Sequence, residues 1–231
     1  EINNILILRN LKLSNYKILI STGMSNYMDI TNAINTIARK KVYKLINSKP
    51  TICNKKLYKK IKKIICIMHC VTDYPVQKAH ANLECVLKIK KDFNLVTGYS
   101  DHTLGTLAPL IAVSKGAKII EKHFTLSRKM KGPDHLASLE MKEFSKMVKD
   151  IRELELMSGD GQKKLQKCEI KNSKVARKSL VAKLHIKKGE KFTFKNLTVK
   201  RPGTGLNPFM LEKLIKKKSK RNYYPDQIIK K

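Results

Sequence analysis

Short apolar runs that alternate with segments of helical periodicity constrain this chain more than any other feature. KILIS, at residues 17–21, precedes a segment with Ile30, Ala33, Ile34, Ile37 and Ala38 at helical spacing. Residues 64–69 give a second apolar run, ending in HCVTDYP, where Pro75 restricts Tyr74 to extended conformations. Residues 78–91 are again helix-like. LVTGYS and KIIEKHF supply the third and fourth runs, with an apolar helical segment between them. After the fourth, Met141, Phe144, Met147, Val148, Ile151 and Leu154 mark a further helix. A lysine-rich connection, residues 40–62, joins the first unit to the second, with Pro50 and Asn54 as breakers. Four strand-helix units in succession predict a parallel α/β sheet.

Polar residues follow the carboxyl ends of these runs: Ser21, Tyr74, Ser100, His102 and His123. That is the face on which parallel barrels carry their sites. An open doubly wound sheet obeys a similar rule at its switch point, but no glycine-rich phosphate fingerprint appears. Successive right-handed crossovers bring the ends of adjacent strands side by side, so His102 and His123 reach one rim although 21 positions separate them. Two imidazoles there, with Asp101, Glu121 and Asp134 nearby, make a seat for a divalent ion that keeps positions open for substrate. Each residue also has a purely structural alternative. Ser21 and Ser100 are candidates for helix N-caps, Tyr74 for an aromatic packed beside proline, and Asp134, after Gly132 and Pro133, for a turn residue.

The 231 residues can bury one sizeable core plus a small module. A net charge of +32 would ordinarily suggest a polyanionic partner. The lysines, however, are spread along the whole chain among isoleucine and asparagine, as in INNILIL and KKIKKIICI, rather than gathered on one face. A general compositional drift explains that pattern better than a specific nucleic-acid site, and it leaves only salt-sensitive nonspecific association. The five cysteines show no paired metal spacing, and Cys66 and Cys70 fall in or beside an apolar run, which fits free thiols in a reducing cytoplasm. No apolar run approaches the roughly 18–20 residues of a membrane span. The chain starts at Glu1 rather than methionine, as a piece of a longer protein would.

After Met157, SGDGQKKLQKCEIKNSK lacks apolar periodicity and is predicted to be a linker, residues 158–174. Residues 1–157 and 175–231 then form two domains. The second contains short β-like runs, KSLVAKL and FTFKNLTVKR, broken by KKGE and RPGTG.

GYSDHT, EKHFTL and GPDHLASLE, in this order and spacing, resemble the signature blocks of the sialic acid synthases. These enzymes condense phosphoenolpyruvate with an N-acetylated sugar aldehyde. The resemblance implies the C-terminal half of a TIM barrel, about four strand-helix units, followed by a small β-rich antifreeze-like (β-clip) domain, whose blocks ARKSLVA, IKKGE, NLTVKRPGTG and RNYYPDQII are similar. It implies site residues as well. KILISTGMS places a phosphate-binding serine at Ser21, and HCVTDYP a sugar-contacting tyrosine at Tyr74. GYSDHT gives a second phosphate ligand, Ser100, and a first metal ligand, His102. EKHFTL gives the second metal ligand, His123, and GPDH the sugar-binding carboxylate, Asp134. EINN is similar to a block whose glutamate is in the active site, here Glu1. Arg201, in the Arg-Pro-Gly block, would be laid across a domain-swapped homodimer onto the partner's sugar.

The implied chemistry is an aldol-like condensation with N-acetylmannosamine or a related sugar, assisted by manganese or magnesium. Carbon 3 of phosphoenolpyruvate adds to the aldehyde, water attacks the enol carbon, and phosphate leaves. The barrel's front half, with the lysines that would neutralise phosphoenolpyruvate, is not matched, so residues 1–231 alone are expected to be inactive. The alternative from a different class is a non-catalytic remnant acting as a basic binding or assembly module. GPDHLASLE leans toward the sialic or legionaminic branch.

Overall fold

The structure, a computed structural model, describes residues 2–11, 13 and 16–230. The chain divides into two compact units, Glu1–Gly161 and Gln162–Lys231.

In the first unit α1 (Ile5–Asn10) precedes β1 (Ile18–Ser21) and α2 (Tyr27–Ala38). A hairpin of β2 (Tyr43–Ile46) and β3 (Lys49–Ile52) follows, then α3 (Lys55–Ile61), β4 (Ile65–Cys70), α4 (Glu84–Phe93), β5 (Val96–Asp101), α5 (Leu107–Ser114), β6 (Ile120–Lys122) and α6 (Met141–Ser158). β1, β4, β5 and β6 form one all-parallel sheet in that order. Four parallel strands linked by helices fit a partial TIM barrel.

Register and burial assign the two faces of the sheet. Ile20, Ile65, Ile67 and Leu95 pack with Ile34 and Ile37 of α2 and with Ile89 and Phe93 of α4. Tyr99 packs with Val86, Ala108 and Ala112, and Ile120 joins them. Side chains alternate along a strand, so the face away from the helices carries Leu19, Ser21, Cys66, Met68, Cys70, Gly98, Ser100 and Glu121. Gly98 is required there, because a Cβ would lie 2.2 Å from Met68 Sδ and 2.7 Å from Ile119 O.

The connection over 40–62 is more ordered than its lysine content predicts. Asn47 and Ser48 take φ of +49° and +61° and close a two-residue hairpin, a turn whose twist matches the strands. Pro50 is therefore accommodated in β3, opposite Leu45, and Asn54 starts a helix, its side chain accepting from Leu57 N at 3.0 Å. The segment expected as a helix over 78–91 is a 3-10 turn, Lys78–His80, and then α4; Asn82 between them has positive φ. Of the six apolar residues that mark α6, only Met147 and Ile151 are buried; Met141 and Val148 are exposed.

The second unit opens with a 3-10 turn, Lys167–Glu169, and α7 (Ile170–Ala176), so the stretch expected as a linker is helical over its last residues. β7 (Ser179–Ala182) pairs antiparallel with β8 (Leu197–Lys200), and α8 (Leu211–Leu214) follows. Leu180, Ile186, Phe192, Leu197, Tyr223 and Ile229 build its core. All five cysteines are free, Cys66 and Cys70 buried. Among the described residues no helix is long and apolar enough to cross a membrane.

Candidate active site

The site grows out of the carboxyl ends of β4, β5 and β6. Beyond β4 the chain turns through Val71 to Pro75, and Val76 N then donates to His102 O at 2.9 Å. That bond sets Tyr74 beside the residue that follows β5, with ring centroids of Tyr74 and His102 4.3 Å apart. Beyond β6, Leu139 N donates to His123 O and Thr125 N to Leu139 O, both at 2.9 Å. These two bonds fold the intervening loop back onto the strand end. Gly132 permits the loop's tightest point with φ +147°, where a Cβ would meet the His135 ring at 2.9 Å. Arg128 fastens the same loop to α6 through an ion pair with Glu143 and a bond from its own N to Glu140 at 2.9 Å.

Four of the sequence-derived candidates are thereby assembled. The rings of His102 and His123 lie 5.3 Å apart, and Tyr74 faces both, 5.7 Å from His123. Asp134 brings Oδ2 to 3.9 Å from His123 Nδ1, too long for a hydrogen bond. His102 is buried, and its Nδ1–H donates to Val71 O at 2.8 Å. In the neutral ring that bond leaves the Nε2 lone pair available to a ligand.

Ser100 is buried and, being within β5, caps no helix; its Oγ donates to Glu121 Oε1 at 2.6 Å. Holding a phosphate oxygen would require its proton to turn away from Glu121. Both residues line a cavity of about 230 Å³ together with Asp101, His102, Lys122 and His123. Ser21 ends β1 on the same face, exposed and two strands away, and the cap of α2 is Asn26 instead. Arg201 belongs to the second unit, is exposed, and donates from Nε to Ala176 O at 3.0 Å. Glu1 lies outside the described residues.

Asp101 departs from expectation. Neighbours along a strand point to opposite faces, so while Ser100 and Glu121 face the cavity side, Asp101 turns toward the helices. There it pairs with buried Lys122 at 2.7 Å and accepts from Tyr99 OH at 3.0 Å and Thr103 N at 2.8 Å. It is therefore a structural carboxylate. Sequence reasoning missed Lys122; the signal was its register opposite Asp101.

Two further groups are held neutral. Burial pushes the Cys70 thiol up, so that 3.9 Å from His102 Nδ1 it is a thiol rather than a thiolate. The Tyr74 hydroxyl is raised by partial desolvation and then by Cys70, Asp134 and Glu121, which keeps it a donor.

Among the described residues no group of three or more His, Cys, Asp or Glu side chains is spaced to hold a metal ion. The donor set present is two imidazoles, one with its tautomer fixed, beside an open cavity. That set fits a divalent ion whose remaining positions go to water or substrate.

Residues 1–163 match the NeuB family. The chain belongs to that family. This NeuB-family chain is 40% identical over 230 residues to the N,N'-diacetyllegionaminic acid synthase of Campylobacter jejuni, covering 100% of itself and 64% of that protein. Over 158 residues it is 39% identical to the pseudaminic acid synthase of the same species, covering 68% and 46%. Among solved structures it resembles the N-acetylneuraminic acid (sialic acid) synthetase of Leptospira borgpetersenii, in complex with citrate. There the TM-score is 0.60 at 30% identity, over 74% of this chain and 53% of that one. The NeuB-family chain thus spans less than two thirds of the length of the curated relatives it matches.

Proposed function

We propose that this chain supplies the metal-binding part of a nonulosonic acid synthase, which condenses phosphoenolpyruvate with an open-chain N-acetylated sugar, N-acetylmannosamine or a relative, and releases phosphate. One observation carries the reading: Tyr74, His102, His123 and Asp134 converge at the carboxyl ends of adjacent parallel strands, with His102 Nδ1 tied to Val71 O. Relatives named as N,N'-diacetyllegionaminic acid, pseudaminic acid and N-acetylneuraminate-9-phosphate synthases support the class of product.

His102 and His123 would hold manganese or magnesium, which when bound supplies Lewis acidity toward the sugar aldehyde and a polarised water. The chain's own residues position the reactants. Ser21 and Ser100 offer hydroxyls to the phosphate of phosphoenolpyruvate. Tyr74 donates from its protonated hydroxyl to the sugar, and Asp134 accepts from a sugar hydroxyl. Carbon 3 of phosphoenolpyruvate then bonds to the aldehyde carbon, water adds to carbon 2, and carbon 2 expels phosphate to leave a keto group. Glu1 is assigned to proton transfer or sugar orientation.

Four strands do not close a barrel of eight, so turnover is assigned to the closed barrel and not to residues 1–231 by themselves. The second unit is read as the antifreeze-like module, and Arg201 as its contribution to a partner's sugar in a domain-swapped homodimer, where a guanidinium suits an acyl oxygen or carboxylate.

The test is phosphate release from phosphoenolpyruvate plus N-acetylmannosamine or its diacetylated analogue, by the protein isolated from its source. His102→Ala and His123→Ala should each lower the rate by at least about 100-fold, beyond the 10–100-fold typical of losing an outer-shell partner. Undiminished activity in both variants, or no phosphoenolpyruvate-dependent release with either sugar, would sink the reading.

A further inference from the structure

The second unit contains a cleft that the proposed synthase chemistry does not use. It encloses about 530 Å³, within the range of about 300–1,000 Å³ usual for small-molecule sites. Its floor is apolar: Phe192, Tyr223 and Ile229 are buried, and Leu206 and Leu214 pack against them. Its rim is cationic, with Lys213, Lys217, Lys218, Lys220, Arg221 and Lys230, and no carboxylate lines it. Among the described residues none of the five lysines forms a salt bridge, whereas Lys200 in the same unit is paired with Asp226. Arg221 is held over the Tyr223 ring at 5.0 Å, which fixes one cation at the edge of the floor.

Lysines are common in this chain, but here six cations surround one concave apolar surface. A nucleic acid would be met by an extended stripe with exposed aromatics for stacking; this cleft is confined and its aromatics are buried. A free inorganic anion would gain nothing from the floor, and a neutral amphiphile nothing from the rim. The geometry points to a binding site for a small soluble amphipathic anion, a molecule with an apolar body and a phosphate or carboxylate head, seated with the body on Phe192 and Leu214 and the head among Lys217, Lys218 and Arg221. This inference does not depend on the synthase reading.

Titration calorimetry of the full chain with octyl phosphate, below its micellar concentration, tests it. One molecule per chain is expected to bind, with inorganic phosphate and octyl glucoside each at least tenfold weaker. The double variant Lys217→Glu, Lys218→Glu should weaken octyl phosphate at least tenfold. The same reversal at Lys59 and Lys60, in a lysine-lined cavity of the first unit, should leave binding unchanged. The proposal is overturned if octyl glucoside binds as tightly, if both reversals weaken binding equally, or if binding does not saturate. It is likewise overturned if octyl phosphate fails while anionic phospholipid vesicles are bound through Lys217 and Lys218, since the site would then belong to a membrane surface.

Discussion

At His102 the ring is oriented by the main chain: Nδ1 donates to Val71 O at 2.8 Å while Tyr74 lies against the ring face. Among the described residues His123 makes no such bond; its ring lies 5.7 Å from Tyr74 and its Nδ1 3.9 Å from Asp134 Oδ2, so its orientation depends on the loop pinned by Leu139. One residue away on the opposite face, Asp101 and Lys122 form an ion pair whose side chains are 0% and 1% exposed. Removing one partner of a buried pair leaves an uncompensated charge, which costs about 3–5 kcal/mol. Asp101→Asn and Lys122→Met should each lower the unfolding free energy obtained from urea titration by an amount in that range, and the double variant should lose less than their sum. Strictly additive losses would mean that the pair does not act as a unit. The position of His102 and His123 just beyond β5 and β6 was legible from the apolar runs that precede them, whereas their role as ligands came from the resemblance of the GYSDHT and EKHFTL blocks. The role of Asp101 was not legible, because it turns on a single step of strand alternation and on the register against Lys122.

The strands and helices that carry the site were legible from apolar periodicity, since β1, β4 and β5 are short apolar runs buried against helices. The hairpin over 43–52 was not, because each of its four-residue strands offers only two alternating apolar positions, Tyr43 and Leu45 in β2 and Pro50 and Ile52 in β3, and its turn depends on two positive φ values. The 3-10 turn that precedes α4 is tied to β4 through His69, whose Nε2 donates to Ala81 O at 2.9 Å while the ring stacks on Tyr99 of β5. Burial lowers the His69 pKa below its usual 6.5. In the folded chain His69 therefore binds fewer protons than in the unfolded chain, and stability must fall as pH drops below about 6.5. Thermal unfolding measured from pH 7.5 down to 5.5 should show that decline, and His69→Gln should make it shallower. An unchanged slope in the variant would remove His69 from the account.

At the scale of the molecule, a partial parallel barrel presents every placed candidate of the first unit on or beyond one face of one sheet, and the chain's membership of the NeuB family is consistent with that arrangement. The charge of +32 did not foretell this, since it describes the whole surface rather than a site. The division into two units was visible as the loss of apolar periodicity after Met157, but the helix at Ile170–Ala176 was not, because none of its residues is buried. The central claim is that His102 and His123 together seat a divalent ion. Manganese titration followed by electron paramagnetic resonance tests it most directly. The account predicts one bound ion per chain, at least tenfold weaker binding in His102→Ala and in His123→Ala, and no change in His185→Ala of the second unit. Equal manganese binding by the wild type and both alanine variants of the first unit would contradict it.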